Sequence, residues 1–231
     1  MCAIIFSPTS QHIQAEIRIC DNGKVEPFLS KEEWLESLEA LLVFSIPLLF
    51  AVPFYMLGFL TEVSGDYVLY TIYITSSIFL TRYNGRSLAE IGLTRKGLLS
   101  SLGNSLAFVA AFSVARFIVA DLKLTQGVYS LDVVASNLFH WSLSGLGQEI
   151  LFRGLILFSF NRWKGWKVAL LVSSILFGLI HVQRYQSLSG IFFVSIPGVA
   201  WGWIALKTKN IVGTAIAHSL FNFLYAFMLV S

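Results

Sequence analysis

Gly147-Gln148-Glu149-Ile150-Leu151-Phe152-Arg153-Gly154 lies inside an apolar stretch that runs from about Leu131 to Phe160. An acid and a base four residues apart share one helix face and can pair. In hydrocarbon, a charged side chain near the bilayer centre costs at least ~2.5 kcal/mol, so such groups are rare and are candidates for function. A buried ion pair can also do no more than lock helices together. The choice between those two readings rests on other apolar segments of the chain.

Composition identifies the solvent. The chain has 231 residues, 56% of them hydrophobic and 13% charged, with a mean hydropathy of +0.73. Soluble domains carry about 25% charged residues, so this chain is built for lipid. A net charge of +3 is too small to argue for a nucleic-acid partner. Cys2 and Cys20 both fall in the polar N-terminal arm and form neither a metal pattern nor a disulfide framework.

Residues 1–36 are mixed and polar, with no basic start before an apolar core, and so carry no signal-peptide pattern. Met1–Phe6 is mildly apolar but too short to span. Ser30 before Lys31-Glu32-Glu33-Trp34 predicts a capped, amphipathic lead-in helix within Val25–Leu38. Seven apolar segments follow, near Leu38–Leu60, Tyr67–Leu80, Leu98–Ala120, Leu131–Phe160, Val168–His181, Leu188–Leu206 and Ile211–Val230. Pro47 and Pro53 fall inside the first, which membrane helices tolerate when neighbours satisfy the freed backbone. Several segments are shorter than the roughly 20 residues of a straight crossing, so some are expected to stop inside the bundle. The expected fold is all-α: a polytopic transmembrane bundle of about seven helices (residues 37–231) behind a short polar arm (residues 1–36).

Lys and Arg set the expected orientation. Arg82, Arg86, Arg95, Lys96, Arg162, Lys164, Lys167, Lys207 and Lys209 share one side with Arg18, Lys24 and Lys31 of the arm, and the other side keeps Lys123 and Arg184. The positive-inside rule then places the N-terminus in the cytoplasm. Counted along the helices at 1.5 Å per residue, Glu149, His181, His218 and Asn222 all lie roughly 10–20 Å from the inner face. A lone histidine on an apolar face is usually a satisfied core residue. A carboxylate, two imidazoles and an amide in one layer point instead to a shared polar site. His218 and Asn222 share a helix face, and Phe177 sits one turn below His181 as a packing wall. Ser144, Gly145, Gly147, Gly154 and Gly178 are small enough to let helices approach closely around that layer.

The motifs Gln148-Glu149-x-x-x-Arg153, Phe177-x-x-x-His181 and His218-x-x-x-Asn222, in that order and each in its own apolar segment, resemble the CPBP family (CAAX proteases and bacteriocin-processing enzymes, also called Abi). The resemblance covers about residues 80–231 and includes the connector from Asn84 to Leu93. It implies an intramembrane glutamic endopeptidase that needs no cofactor and holds no metal. In such an enzyme a glutamate and His181 activate a water, His218 and Asn222 bind the oxyanion, and Arg153 pairs with Glu149. The implied partners are the bilayer and a peptide or protein substrate, lipidated in some members, and not nucleic acid. The chain departs from the family pattern at Gln148, where the family has its first glutamate; a carboxamide accepts no proton at neutral pH.

Two functional expectations follow. In one, Glu149 has taken over as the base and the chain hydrolyses a peptide bond near the cytoplasmic side of the membrane. In the other, the chain is a catalytically silent relative that acts as a membrane binding or regulatory partner. A zinc enzyme using Glu149, His181 and His218 lacks the His-Glu-x-x-His pattern, and a carrier would show inverted repeats that the sequence lacks by eye. The expected location is integral and multi-pass, in a prokaryotic plasma membrane.

Overall fold

The computed structural model describes residues 2–6, 16–20, 25–27, 31–119, 123–124, 130–182 and 187–230. Lys24, Ser30 and Arg184 lie outside the described residues. Among the described residues, seven long helices form the bundle, as the apolar segments predict. They are α1 (Lys31–Met56), α2 (Glu62–Tyr83), α3 (Leu98–Val119), a long central helix, α6 (Trp166–Leu179), α7 (Leu188–Thr208) and α8 (Val212–Met228). The central helix is continuous from Leu131 to Lys164 and changes character twice along its length. It runs as α4 (Leu131–Gln148), then as a π-helix over Glu149–Ile156, then as α5 (Leu157–Lys164).

Among the described residues, four helices are long and apolar enough to cross a bilayer: Glu32–Ala51, Leu98–Ile118, Leu131–Lys164 and Leu188–Thr208. The shorter α6 has 14 residues, about 21 Å at 1.5 Å per residue, and stops inside the bundle.

The arm differs from expectation. Strands β1 (Cys2–Phe6), β2 (Glu16–Cys20) and β3 (Val25–Pro27) pair antiparallel in that order. The expected lead-in helix over Val25–Leu38 therefore starts at Lys31, and Val25–Pro27 is a strand. Pro27 fixes φ and has no N–H, which suits a strand edge and not a helix interior. From Lys31 the helix continues unbroken through the first span, with Glu32 and Glu33 in its first turn, where carboxylates meet the exposed N–H groups favourably. A two-residue antiparallel pair, β4 (Lys123–Leu124) with β5 (Leu229–Val230), joins the chain beyond α3 to the end of α8.

Local chemistry explains the joints that place α8. A 3-10 turn over Leu88–Ile91 is capped reciprocally by Ser87 and Glu90. Gly92 follows with φ +79°, a conformation only glycine adopts freely, and its carbonyl accepts the Ile211 N–H at 3.0 Å. Asn210, fully buried, donates through Nδ2 to the carbonyls of Thr94 and Lys96, accepts Gly213 N–H on Oδ1, and its own carbonyl accepts Ser101 Oγ. That knot fixes the start of α8, the helix that carries His218.

The core centres on the middle of the chain. Every residue from Gly147 to Phe160 is buried. Two close approaches seat this segment: a Cβ on Gly147 would stand 2.9 Å from Tyr70 Cβ of α2, and one on Gly145 would collide with Ser219 of α8. At one end of the bundle, Lys164, Lys167 and Lys207 lie over Trp163, Trp166 and Trp203 at 4.7, 5.6 and 4.7 Å. Such aromatic and basic pairs mark a membrane–water interface.

Candidate active site

The site is built on the π-helix. A π turn inserts an extra residue per hydrogen-bonded ring, widens the helix and occurs often at functional sites. Glu149 opens this segment and Arg153 lies within it, both with 0% exposure. Glu149 Oε1 is the hub: Arg153 Nη1 stands 3.1 Å away and His218 Nδ1 3.0 Å away. A carboxylate only accepts, so Nδ1 of His218 carries the proton in this pairing.

Aromatic rings enclose the hub. The Phe177 ring lies 4.1 Å from the Arg153 guanidinium carbon, 5.0 Å from the His181 ring and 5.7 Å from the His218 ring. Phe177 thus packs against all three side chains. Trp201 of α7 stacks on His218 at 4.2 Å and 26°. His181 sits in the turn just past the end of α6, half-buried, and its Nδ1 donates to the Phe177 carbonyl at 2.8 Å.

The structure therefore gathers Glu149, Arg153 and His218 by direct contact, and adds Phe177 and His181 through one ring. Gln148 is not in this group. Its Nε2 donates to Tyr70 Oη and Ser144 Oγ, both at 3.0 Å, on the face of the helix turned toward α2. Asn222, half-buried one turn beyond His218, makes no hydrogen bond to the cluster among the described residues. Among the described residues no three His, Cys, Asp or Glu side chains converge in the manner of a metal site.

Several buried polar atoms here have no hydrogen-bond partner among the described residues: Glu149 Oε2, Gln148 Oε1, Trp201 Nε1 and the guanidinium nitrogens of Arg153. The Arg153–Glu149 contact is close in distance but not aligned as a hydrogen bond. Each unpaired buried group costs about 1–3 kcal/mol, so this much unused capacity suits a polar guest. Trp201 and Tyr70 escaped the sequence reading. Trp203 has Lys207 one turn on, the mark of an interfacial tryptophan, whereas Trp201 has no such partner and points inward. That contrast was the available signal. Tyr70 offered none.

Residues 130–224 match the family model described as type II CAAX prenyl endopeptidase Rce1-like. The match agrees with the resemblance carried by the three motifs, all of which lie inside it. No curated protein and no solved structure matches the chain. With its membrane-length apolar helices, the chain is an integral membrane protein that carries a segment similar to CAAX-type proteases.

Proposed function

We propose that the chain is an intramembrane endopeptidase in which Glu149 is the general base. It would hydrolyse a peptide bond in a membrane-associated or lipidated substrate. The observation that carries this reading is the buried Glu149 carboxylate, with one oxygen engaged by His218 and Arg153 and the other free. A base held this way is oriented by one oxygen and works with the other.

The chemistry balances as follows. Water attacks the scissile carbonyl carbon, the carbonyl π pair moves onto oxygen, and the departing water proton goes to Glu149 Oε2. His218 donates Nδ1–H to Glu149 and orients its carboxylate, and Asn222 Nδ2 donates to the oxyanion. Preorganised donors of this kind contribute about 2.7–4 kcal/mol each in a dry site. The tetrahedral intermediate collapses, the C–N bond breaks, and Glu149 returns the proton to the leaving amine. His181 orients the water. Arg153 holds the Glu149 carboxylate ionised and in place. Gln148, bonded to Tyr70 and Ser144, supports the helix face and takes no proton. Orientation with the N-terminus in the cytoplasm, in a prokaryotic plasma membrane, rests on the Lys and Arg asymmetry.

Terminal-peptide mass spectrometry on membranes tests the reading. A deletion host would carry the chain as written, Glu149→Ala or Gln148→Glu. New termini with the chain as written that vanish with Glu149→Ala support Glu149 as base. Termini only with Gln148→Glu identify a silent scaffold that binds without cutting. No termini from any of the three overturn proteolysis.

A further inference from the structure

The fold brings two lysine-bearing turns side by side. Glycine stands where α6 and α7 meet: a Cβ on Gly178 of α6 would collide with Ser195, and one on Gly202 of α7 would stand 2.7 Å from Leu170 Cδ1. The two helices therefore run antiparallel in close contact, with the start of α6 beside the end of α7. There Trp166 meets Trp203, with ring centroids 5.4 Å apart. Lys167 lies over the first ring and Lys207 over the second. Lys164 stands over Trp163, just before the turn at Gly165. All three lysines, Trp166 and Trp203 are exposed.

The ion pairs of that end lie elsewhere. Glu36 of α1 takes Arg86 and Arg162, and Glu90 takes Arg86 as well. Among the described residues, none of Lys164, Lys167 and Lys207 pairs with a carboxylate. Each lies over an aromatic ring, a contact that leaves ammonium hydrogens for a further acceptor. Below the lysines both helices turn apolar. At steps of four residues, which keep to one helix face, Lys167 leads to Leu171 and Ile175, and Lys207 leads back to Trp203 and Val199. These four apolar side chains are exposed.

We propose that this corner holds one anionic phospholipid of the adjacent leaflet, with its phosphate between Lys167 and Lys207 and its acyl chains along Leu171 and Val199. The order ammonium, indole, aliphatic side chain matches the order phosphate, glycerol and carbonyl region, acyl chain. An acidic protein would meet the lysines and leave the apolar lines uncovered. A zwitterionic headgroup would bring its own cation against the lysines. The bound lipid ties the start of α6 to the end of α7. Those helices carry Phe177 and Trp201, whose rings meet at 6.4 Å and stand 5.7 and 4.2 Å from the His218 ring. The lipid thus braces two walls of the buried cluster from the membrane surface, whether or not that cluster cuts peptides.

Native mass spectrometry of the full chain in a neutral detergent tests this. The probes are dioleoyl phosphatidylglycerol, dioleoyl phosphatidylcholine and glycerol phosphate. One phosphatidylglycerol should bind, with the other two at least about tenfold weaker. Lys167→Gln with Lys207→Gln should weaken that binding about thirtyfold, at about fivefold for each lysine near a charged headgroup. Arg82→Gln with Arg95→Gln removes equal charge from exposed positions of the same end outside the corner. In salt that screens distant charges it should change binding by less than about twofold. Thermal unfolding should rise with added phosphatidylglycerol in the unchanged chain and the arginine variant, and stay flat in the lysine variant. Without lipid all three should unfold together, so a lost adduct reports a lost site and not a lost fold. Equal losses in the two double variants mean diffuse attraction to a basic surface and overturn the proposal. Equal binding of phosphatidylcholine or of glycerol phosphate overturns it too, the first by removing the role of charge and the second by removing the role of the chains. Absence of any phosphatidylglycerol adduct overturns it outright.

Discussion

Two glutamate–arginine clusters lie in this bundle, and they use their hydrogen bonds differently. Near the basic end, Glu36 of α1 meets Arg86 of the connector and Arg162 of α5. Arg86 Nε donates to Oε1 at 2.6 Å, and Arg162 Nη2 and Nε donate to Oε2 at 2.8 and 3.2 Å. Arg162 also reaches Ser159, and Arg86 reaches Glu90. Both carboxylate oxygens are occupied, and three segments distant in sequence are held together. In the middle of the bundle, Glu149 has one oxygen occupied and one free, and Arg153 is neighboured by rings more than by acceptors. A pair that exists to hold helices saturates its donors and acceptors, as the Glu36 cluster does. A pair that leaves capacity unused in a dry core is arranged for something that arrives.

The strongest test of that contrast is to remove charge from the buried pair. Glu149→Leu should abolish cleavage, a loss of about 10²–10⁴-fold for a general base. It should also destabilise the bundle by about 3–5 kcal/mol, because Arg153 is left buried and alone. Adding Arg153→Met should restore most of the stability, since buried pairs can often be replaced by apolar side chains at little cost. Cleavage should stay absent. Thermal unfolding in detergent beside the cleavage assay separates the two effects. Recovery of cleavage in the double variant would make the pair structural.

Packing around the site comes next in size. Gly147→Ala puts a methyl group against Tyr70, whose backbone and side chain leave no room. Overpacking of this kind costs about 1–3 kcal/mol, and relief requires the helix to move away from α2, carrying Glu149 with it. Cleavage should fall with stability. Gly103→Ala, on α3 with nothing within 4 Å of the added carbon, is the matched control: cleavage should hold, and stability should hold or rise by up to about 1 kcal/mol through helix propensity.

Much of this was legible from residue order, for a physical reason. Long apolar runs bounded by charged connectors fix helix number and approximate ends, and the i, i+4 pairs name the faces that meet. Glu149 with Arg153 and Phe177 with His181 are local relations, and both persist in the structure. What was not legible depends on distant chain. Gln148 finds its partner in Tyr70, 78 positions away, and nothing near Tyr70 announces this. The π-helix was also invisible, since Glu149–Ile156 contains no proline and its one glycine, Gly154, is of a type frequent in apolar membrane helices. In the arm, Met1–Phe6 was read only as too short to span. The pairing of Cys2–Phe6 with Glu16–Cys20 is a long-range property that a short apolar run does not declare.

The saturated cluster should respond mildly to the change that is fatal at the other. Glu36→Gln weakens two contacts whose arginines are partly exposed, with side-chain exposures of 25% and 21%. Water and screening replace much of the interaction, and exposed pairs are worth about 0.2–1 kcal/mol. Unfolding should shift by no more than that, and cleavage should proceed at the rate of the unchanged chain. A cleavage defect as deep as that of Glu149→Leu would erase the distinction between the clusters.

The smallest effect belongs to the edge of the saturated cluster, and it is a pH effect. The Ser87 backbone N–H donates to the Glu90 carboxylate at 2.8 Å and, with help from Arg86, holds it below the ordinary value of 4.5. A carboxyl whose folded value is lowered contributes stability that is fully present above its ordinary value and is lost as pH falls through the lowered one. The 3-10 turn at Leu88–Ile91 should therefore loosen only in acid, below about pH 4.5. Through Gly92 and its bond to Ile211, that loosening should reach the start of α8. Hydrogen exchange at the Ile211 amide, followed from neutral to acid, checks this after correction for intrinsic rates. Glu90→Gln should make its protection lower at neutral pH and nearly flat with pH. If protection in the unchanged chain is already flat through this range, the capping carboxylate does not govern the joint, and the Asn210 knot alone holds α8 in place.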